Sequence, residues 1–196
     1  LPGSRLPAAR HNLERMLALL EELPAGLRHH DFQAALVREL PAAAVEALAA
    51  SRGWSLSSST SRSPWPKRHG LVLQCCWGQF TTLLPAAQVV VSMAGTASEQ
   101  AVGLGKPVLQ LAGHGPQFTV GFAEAQRRLL GPGVHCAEGD VDDPHTLIAS
   151  AEVLEQLLRL PKATLQQLRE EGDQRLGQAG GTKRMARAIL ERLQHP

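Results

Sequence analysis

The first residues of the chain combine a Gly-Ser turn with a permanent cation, a pairing suited to phosphate. Gly3 and Ser4 precede a predicted helix, whose first turn offers free backbone N–H groups at the positive end of the helix dipole. Arg5 adds a guanidinium that can form paired hydrogen bonds with phosphate oxygens. The same residues also fit an ordinary helix-start turn with an exposed arginine, so both interpretations stay open here.

A second glycine turn joins the most apolar strand of the sequence to the helix that follows it. Gly95 permits a tight turn and a close approach of the backbone to a ligand, with Thr96 and Ala97 beside it. Thr96 and Glu99 have the spacing of a capping box, which favours a structural role for Glu99 over a sugar-binding or catalytic one. Gln100 lies one turn beyond Thr96, so its amide is predicted to bond a ribose or sugar hydroxyl, with a solvated helix position as the alternative.

A third loop, after another predicted strand, brings a histidine and an amide together with an aromatic ring. His114, Gly115, Gln117 and Phe118 predict a loop that contacts a sugar. Imidazole titrates near neutral pH, so His114 has the chemistry of an acid or a base. No carboxylate or nucleophile stands at an informative spacing from His114, which favours ligand contact over proton transfer.

A DxD pattern formed by Asp140 and Asp142 could hold a divalent metal. The next residues, Asp143 and Pro144, are typical of the N-cap and first position of a helix, which explains the pattern structurally. We therefore expect no metal site.

The elements that must position these loops alternate between strand and helix. The pattern predicts a Rossmann-like α/β domain over residues 1–196, with an open parallel sheet, helices on both faces and a helical C-terminal tail. Ligands of such folds bind at the carboxyl ends of the strands. Residues 55–69 are rich in serine and predict a flexible insertion. The predicted strands are 32–37, 71–75, 89–91, 107–111 and 134–136, and the predicted helices are 6–23, 42–50, 79–84, 96–104, 117–130, 144–158, 161–176 and 180–194.

The amino-acid composition of the chain argues against some classes of protein. A net charge of +2 and the scarcity of aromatic residues argue against nucleic-acid binding. Three cysteines without a bridging or metal-binding spacing indicate small core side chains in a reducing, cytoplasmic compartment. No apolar run reaches the length of a transmembrane helix, and no signal peptide is seen. The chain starts without methionine, apparently at the end of a strand, which we interpret as a fragment of a longer protein.

Five short motifs stand out along the chain. They are Leu1-Pro2-Gly3-Ser4-Arg5, Gly95-Thr96-Ala97, Gly105-Lys106-Pro107-Val108, Gly115-Pro116-Gln117-Phe118 and Phe122-Ala123-Glu124-Ala125. Together they resemble the donor-binding half of the GT-B glycosyltransferases, and among them lipid-A-disaccharide synthase and its relatives. The resemblance covers nearly the whole chain, and its motifs are specific together rather than singly.

The resemblance implies two Rossmann-like domains, of which this chain is the C-terminal one and holds a UDP-sugar in the cleft between them. Gly3, Ser4, Arg5, Gly95 and Thr96 would then lie near the diphosphate. The family has a ribose-binding glutamate seven residues before the proline that corresponds to Pro107, and this sequence has Gln100 there. Because an amide carries no charge, the departure implies weaker binding of UDP or a different nucleotide.

The reaction implied is the transfer of a glucosamine-type sugar from UDP to a lipid-linked acceptor, without a cofactor or metal. The catalytic base would belong to the N-terminal domain of the same protein, so this fragment is expected to bind nucleotide without turnover. The resemblance also implies a cytoplasmic protein, with peripheral attachment at the inner face of a membrane. The alternatives are a UDP-GlcNAc 2-epimerase and a non-catalytic module that either binds a nucleotide sugar or serves as a scaffold. A NAD-binding domain is disfavoured because no GxGxxG is present.

Overall fold

The computed structural model describes residues 1–56, 65–114, 119–177 and 180–194. Strands and helices alternate through most of these ranges, and the chain ends in consecutive helices. The helices are α1 (Ala8–Glu21), α2 (Ala42–Ser51), α3 (Phe80–Ala86), α4 (Gly95–Gly103), α5 (Val120–Leu130), α6 (Pro144–Leu158), α7 (Lys162–Leu176) and α8 (Gly181–Gln194). The strands are β1 (Phe32–Leu36), β2 (Ser55–Leu56), β3 (Pro66–Arg68), β4 (Leu71–Trp77), β5 (Val90–Ser92), β6 (Val108–Gln110) and β7 (Val134–Cys136). The predicted α/β class and helical tail are confirmed.

The strands form two sheets. Strands β5, β6 and β7 pair side by side in parallel, with Val90 opposite Val108 and Val108 opposite Val134. Strands β1 and β4 also pair in parallel, from Phe32 opposite Leu73 to Leu36 opposite Trp77. Strands β3 and β2 continue that second sheet in antiparallel fashion, giving the order β1-β4-β3-β2.

Helices cover both faces of the three-stranded sheet. Leu109 packs into the larger buried cluster, together with residues of α1 and α6. Its neighbour Val108 packs into the smaller cluster, with residues of α3, α4 and α5. Because successive side chains of a strand point to opposite faces, the two clusters lie on opposite sides of this sheet. Such two-sided burial explains the run of apolar residues in these strands.

Residues 55–69 were predicted to be a flexible insertion, but the structure has a strand at each end of this range. Ser55 of β2 lies opposite Lys67 of β3, and Arg68 lies opposite Leu71 of β4. The guanidinium of Arg68 donates to the carbonyl oxygen of Arg52 at 2.5 Å. Ser55 and Lys67 are separated by the serine-rich stretch itself, so a serine-rich composition did not reveal the strands. Residues 57–64 lie outside the described residues.

Helix boundaries differ from the predicted ones where proline intervenes. Helix α1 begins at Ala8 rather than residue 6, with Pro7 at the N-cap. Pro85 was expected to end α3, yet it lies inside that helix, which runs on to Ala86. Helix α6 begins as expected, because the Asp143 carboxylate accepts a hydrogen bond of 2.9 Å from the N–H of His145.

The three cysteines are free thiols, and Cys75 packs in the larger apolar cluster. Cys75 and Cys76 are buried on β4, and Cys136 is half-buried at the end of β7. Burial raises the pKa of Cys75 to about 12 and that of Cys136 to about 11. The two cysteines of β4 therefore match the predicted role as small core side chains. Within the described ranges, no helix has both the length and the apolar content needed to cross a membrane.

Candidate functional site

A cavity of about 540 Å³ opens at the carboxyl ends of the parallel strands. Val37 follows β1, Gly78 follows β4 and Met93 follows β5, and all three line it. The turn at the start of the chain and the first turn of α4 complete the wall. We call this space the carboxyl-end cavity, and it lies where an open α/β sheet binds its ligands.

The carboxyl-end cavity brings together the two segments that were predicted separately to bind a diphosphate. Seven of the candidate site residues line it, although they are far apart in sequence. They are Gly3, Ser4, Arg5, Gly95, Thr96, Ala97 and Gln100.

Backbone hydrogen bonds hold the first turn beside β5. The amino group of Leu1 donates to the carbonyl oxygen of Val91 at 2.7 Å. The N–H of Met93 donates in turn to the carbonyl oxygen of Leu1 at 3.0 Å. This is the pattern of a parallel ladder, so Leu1 occupies the position of a strand residue next to β5. The two strand-to-helix junctions are therefore neighbours in the fold.

The buried side chain of Asn12, on α1, connects these junctions. Its Nδ2 donates to the carbonyl oxygen of Pro2 at 2.8 Å and approaches that of Met93 at 3.5 Å. A Cβ atom added to Gly113 would lie 3.6 Å from the Oδ1 of Asn12, so the third loop passes the same side chain. Asn12 was not among the predicted site residues, because a single polar residue on an apolar helix face carries no signal of what it bonds.

Helix α4 presents its N-terminus to the carboxyl-end cavity. Its N-cap is Ala94, whose own N–H is bonded by the hydroxyl of Ser92 at 3.2 Å. The next N–H groups, those of Gly95 to Ala97, precede the first residue that can bond within the helix. No side chain of the described residues caps them. They are thus available to an anion in the cavity.

The expected capping box of Thr96 and Glu99 is wrong, because the helix starts two residues earlier than that motif requires. Thr96 lies inside the first turn, and the cap position belongs to Ala94. The hydroxyl of Ser98 turns back to the carbonyl oxygen of Ala94 at 2.6 Å. Glu99 is half-buried and does not line the cavity, in contrast to its neighbour Gln100.

The first junction requires a glycine at position 3, whereas the second has room for a Cβ atom at position 95. Gly3 has a φ of +96°, and a Cβ there would lie 3.2 Å from the carbonyl oxygen of Met93. A Cβ on Gly95 would lie 3.6 Å from Nε2 of Gln126 and 3.7 Å from Cζ of Phe122, both ordinary contacts. The backbone conformation therefore does not require glycine at position 95, but the absence of a side chain there leaves more room in the cavity.

The electrostatics of the carboxyl-end cavity favour an anion. Arg5 is exposed and is the one charged side chain among the described lining residues. Arg38 adds a second guanidinium nearby, since its Nη2 lies 4.0 Å from where a Cβ on Gly78 would be. The positive end of α4 adds to these charges. Among the described lining residues there is no carboxylate side chain and no imidazole.

The third loop is described only as far as His114. Nε2 of His114 lies 2.7 Å from a carboxylate oxygen of Asp142, and both side chains are largely exposed. His114 is not among the residues that line the carboxyl-end cavity, and its contact with a sugar stays a prediction. The other members of the predicted set, Gly115, Gln117 and Phe118, lie outside the described residues.

Two aromatic rings that were not predicted as site residues also line the carboxyl-end cavity. Phe80 is the first residue of α3, and Phe122 lies in the first turn of α5. Each lies at the beginning of a helix that follows a strand or a loop. That position is the only feature of the sequence that could have indicated these two residues. Their rings add flat apolar surface to the lining, and Cζ of Phe122 lies 3.7 Å from where a Cβ on Gly95 would be.

Comparison with protein-family models, curated proteins and solved structures finds no match for this chain. Within the described residues, no group of three or more His, Cys, Asp or Glu side chains is placed to hold a metal ion.

Proposed function

We propose that this chain binds the UDP-sugar donor of a GT-B glycosyltransferase, as the donor half of an enzyme that transfers a glucosamine-type sugar. The observation that carries the proposal is the meeting of two glycine turns and Arg5 in one cavity. The resemblance of the same two turns to the motifs of lipid-A-disaccharide synthase supports it independently of the geometry.

The diphosphate is the part of the donor that this wall fits best. The N–H groups of Gly95, Thr96 and Ala97, which no side chain of the described ranges caps, and the dipole of α4 stabilise phosphate oxygens on one side. Arg5 approaches from the other junction with a guanidinium that remains charged. As the donor bond breaks, negative charge grows on the leaving diphosphate, and these groups oppose that charge in place.

The nucleoside and sugar are assigned to the remaining lining. Gln100 offers an amide to a ribose or sugar hydroxyl, and the hydroxyl of Thr96 lies one turn before it. Phe80 and Phe122 supply the apolar surface against which a ring can stack. Because Gln100 carries no charge, its bond to a hydroxyl is weaker than that of a carboxylate.

The base that activates the acceptor is assigned to an N-terminal domain of the same protein, together with the lipid-linked acceptor. The described wall of the cavity supports this division, because it contains no Asp, Glu or His side chain. The isolated chain is accordingly expected to bind UDP without turning over a UDP-sugar. We also propose that the parent protein is cytoplasmic and in peripheral contact with a membrane.

Calorimetric titration with UDP and UDP-GlcNAc tests the proposal. Replacing Arg5 by Ala is expected to weaken both affinities about tenfold or more, since a charge-assisted hydrogen bond contributes ~1.5–3 kcal/mol. Arg10→Ala is the matched control, because Arg10 is an exposed arginine of α1 outside the cavity lining. Equal affinities of Arg5→Ala and the unmodified chain would overturn the proposal. A chain that takes up neither ligand at millimolar concentration would support a scaffold instead.

A further inference from the structure

The last residues of the three parallel strands β5, β6 and β7 form a polar row. Ser92 lies opposite Gln110, and Gln110 lies opposite Cys136. Val108, two residues before Gln110, packs with residues of α4 and α5. Since alternate residues of a strand face the same side of the sheet, the row points toward these two helices. Ser92 and Gln110 are buried, so they need hydrogen-bond partners there.

Two members of this row are connected to Gln126 of α5 by hydrogen bonds. The thiol of Cys136 donates to Oε1 of Gln110, with 3.8 Å between sulfur and oxygen. Nε2 of Gln110 donates in turn to Oε1 of Gln126. Burial raises the pKa of Cys136 to about 11, so the thiol keeps the proton that it donates. This order of donors and acceptors fixes the orientation of both amides, and we call the three side chains the amide relay.

The amide relay leaves Nε2 of Gln126 without a hydrogen-bond acceptor among the described residues. Gln126 is 6% exposed, and a buried amide donor without a partner is costly. In the described ranges, the one unpartnered side-chain nitrogen or oxygen that is sealed from solvent is Nε of Arg15. Nε2 of Gln126 must therefore reach an open surface.

The surface that Nε2 of Gln126 reaches belongs to the carboxyl-end cavity. A Cβ atom on Gly95 would lie 3.6 Å from this nitrogen and 3.7 Å from Cζ of Phe122. Gly95 and Phe122 both line the cavity. The amide of Gln126 and the first N–H groups of α4 are all donors, and they lie side by side. A phosphate group matches them, because its oxygens accept hydrogen bonds and carry negative charge.

We propose that Gln126 binds the ligand of the carboxyl-end cavity, by donating from Nε2 to an oxygen of the diphosphate at the N-terminus of α4. Gln110 and Cys136 are positioning residues, because they hold the amide of Gln126 with its donor end toward Gly95. The identity of the ligand as a nucleoside diphosphate rests on the proposed function, whereas the contact itself requires only a phosphate group.

NMR titration of the chain with inorganic pyrophosphate tests this contact directly. The side-chain amide signals of Gln126 are identified by their absence from the spectrum of the Gln126→Glu chain. We expect these signals and the backbone amide signal of Gly95 to shift with the same half-saturation. A shift at Gly95 without one at Gln126 would overturn the proposal, and so would the absence of binding at millimolar pyrophosphate.

The Gln126→Glu chain gives a second measurement. The substitution puts a carboxylate oxygen where Nε2 was, while the other oxygen can still accept from Gln110. Calorimetry should show an affinity for pyrophosphate that is about tenfold lower or less. Gln167→Glu adds the same charge at an exposed position of α7 and is the control. Equal affinities in these two variants would refute the contact.

The positioning role is tested at the thiol of the amide relay. Cys136→Ala removes the donor to Gln110, and the affinity for pyrophosphate should fall about threefold, since a thiol is a weak donor. Cys136→Ser supplies a hydroxyl donor at the same place and should restore the affinity. An Ala variant that binds pyrophosphate as well as the Ser variant would show that the relay does not position Gln126.

Titration with UDP distinguishes a failure of this inference from a failure of the proposed function. UDP that shifts the Gly95 signal and leaves the Gln126 signals unchanged would remove Gln126 from the site, and donor binding would stand. Pyrophosphate that shifts both signals in a chain that does not bind UDP would refute the donor, and the phosphate contact of Gln126 would stand.

Discussion

The side-chain amide of Asn12 donates to the carbonyl oxygen of Pro2 at 2.8 Å, and through this bond α1 holds the first turn in place. The same nitrogen approaches the carbonyl oxygen of Met93, which belongs to the second turn. One buried donor thus links the two segments that we propose to bind the diphosphate. Their relative position should be sensitive to this side chain.

Replacing Asn12 by Asp is expected to separate the two turns. A carboxylate there would face the carbonyl oxygens of Pro2 and Met93 with no proton to donate, and burial makes the mismatch costly. We expect a loss of ~1–3 kcal/mol in the free energy of unfolding in urea, and weaker binding of UDP. The exposed neighbour His11 serves as control through His11→Ala. An Asn12→Asp chain with unchanged stability and affinity would contradict the linking role.

Gly95→Ala should separate binding from folding. A methyl group fits there at ordinary contact distances, so the free energy of unfolding should stay the same or rise slightly. The methyl would nevertheless stand in the carboxyl-end cavity against an approaching diphosphate, and UDP affinity should fall about tenfold. Gly103→Ala, at the other end of α4, is the matched control, with its nearest contact 3.5 Å away at Leu176. Calorimetry that shows equal losses in both variants would refute this role for Gly95.

The sequence predicted the order of the α-helices and of the parallel strands, but it missed β2 and β3 and several starting points. Helix α4 was expected from Thr96 because Thr96 and Glu99 imitate a capping box. The hydroxyl of Ser92 instead bonds the N–H of Ala94 and starts the helix at Gly95. This hydrogen bond depends on how the strand ends, which apolar periodicity does not record.

The sequence pattern also could not predict which distant side chains pair with each other. His114 was expected at a sugar, and the structure pairs it with Asp142, twenty-eight residues away. Asn12 carried no motif, although three loops meet at its side chain. By contrast, Gly3, Arg5 and Gly95 could be predicted, because turn glycines after strands lie at one edge of a parallel sheet.

Glu21 should make stability depend on acid pH. Burial acts to raise the pKa of Glu21, but hydrogen bonds from Arg52 and Trp54, with the nearby charge of Arg68, lower it below 4.5. The stabilisation is therefore present above the unfolded pKa, and it is lost as the pH falls through the lower folded value. Urea unfolding between pH 7 and 3 should show this loss in the unmodified chain and less of it in Glu21→Gln. Parallel pH profiles for the two chains would contradict it.

Gly172→Ala should weaken the contact that supports α4 from behind. A Cβ on Gly172 of α7 would overlap the carbonyl oxygen of Val102 and force the two helices apart. We expect a loss of ~1–3 kcal/mol in the free energy of unfolding, measured by thermal or urea denaturation. Gly121→Ala in α5 is the control, because its nearest neighbour, Oγ1 of Thr119, would be 4.0 Å away. A Gly172→Ala chain as stable as this control would show that the helices can adjust at no cost.

A crystal structure of the chain soaked with UDP tests the central claim most directly. We predict diphosphate density in the carboxyl-end cavity, with oxygens at hydrogen-bonding distance from the N–H groups of Gly95 and Thr96 and from the guanidinium of Arg5. UDP bound elsewhere on the chain, or a diphosphate that touches neither turn, would contradict the assignment of this cavity to the donor.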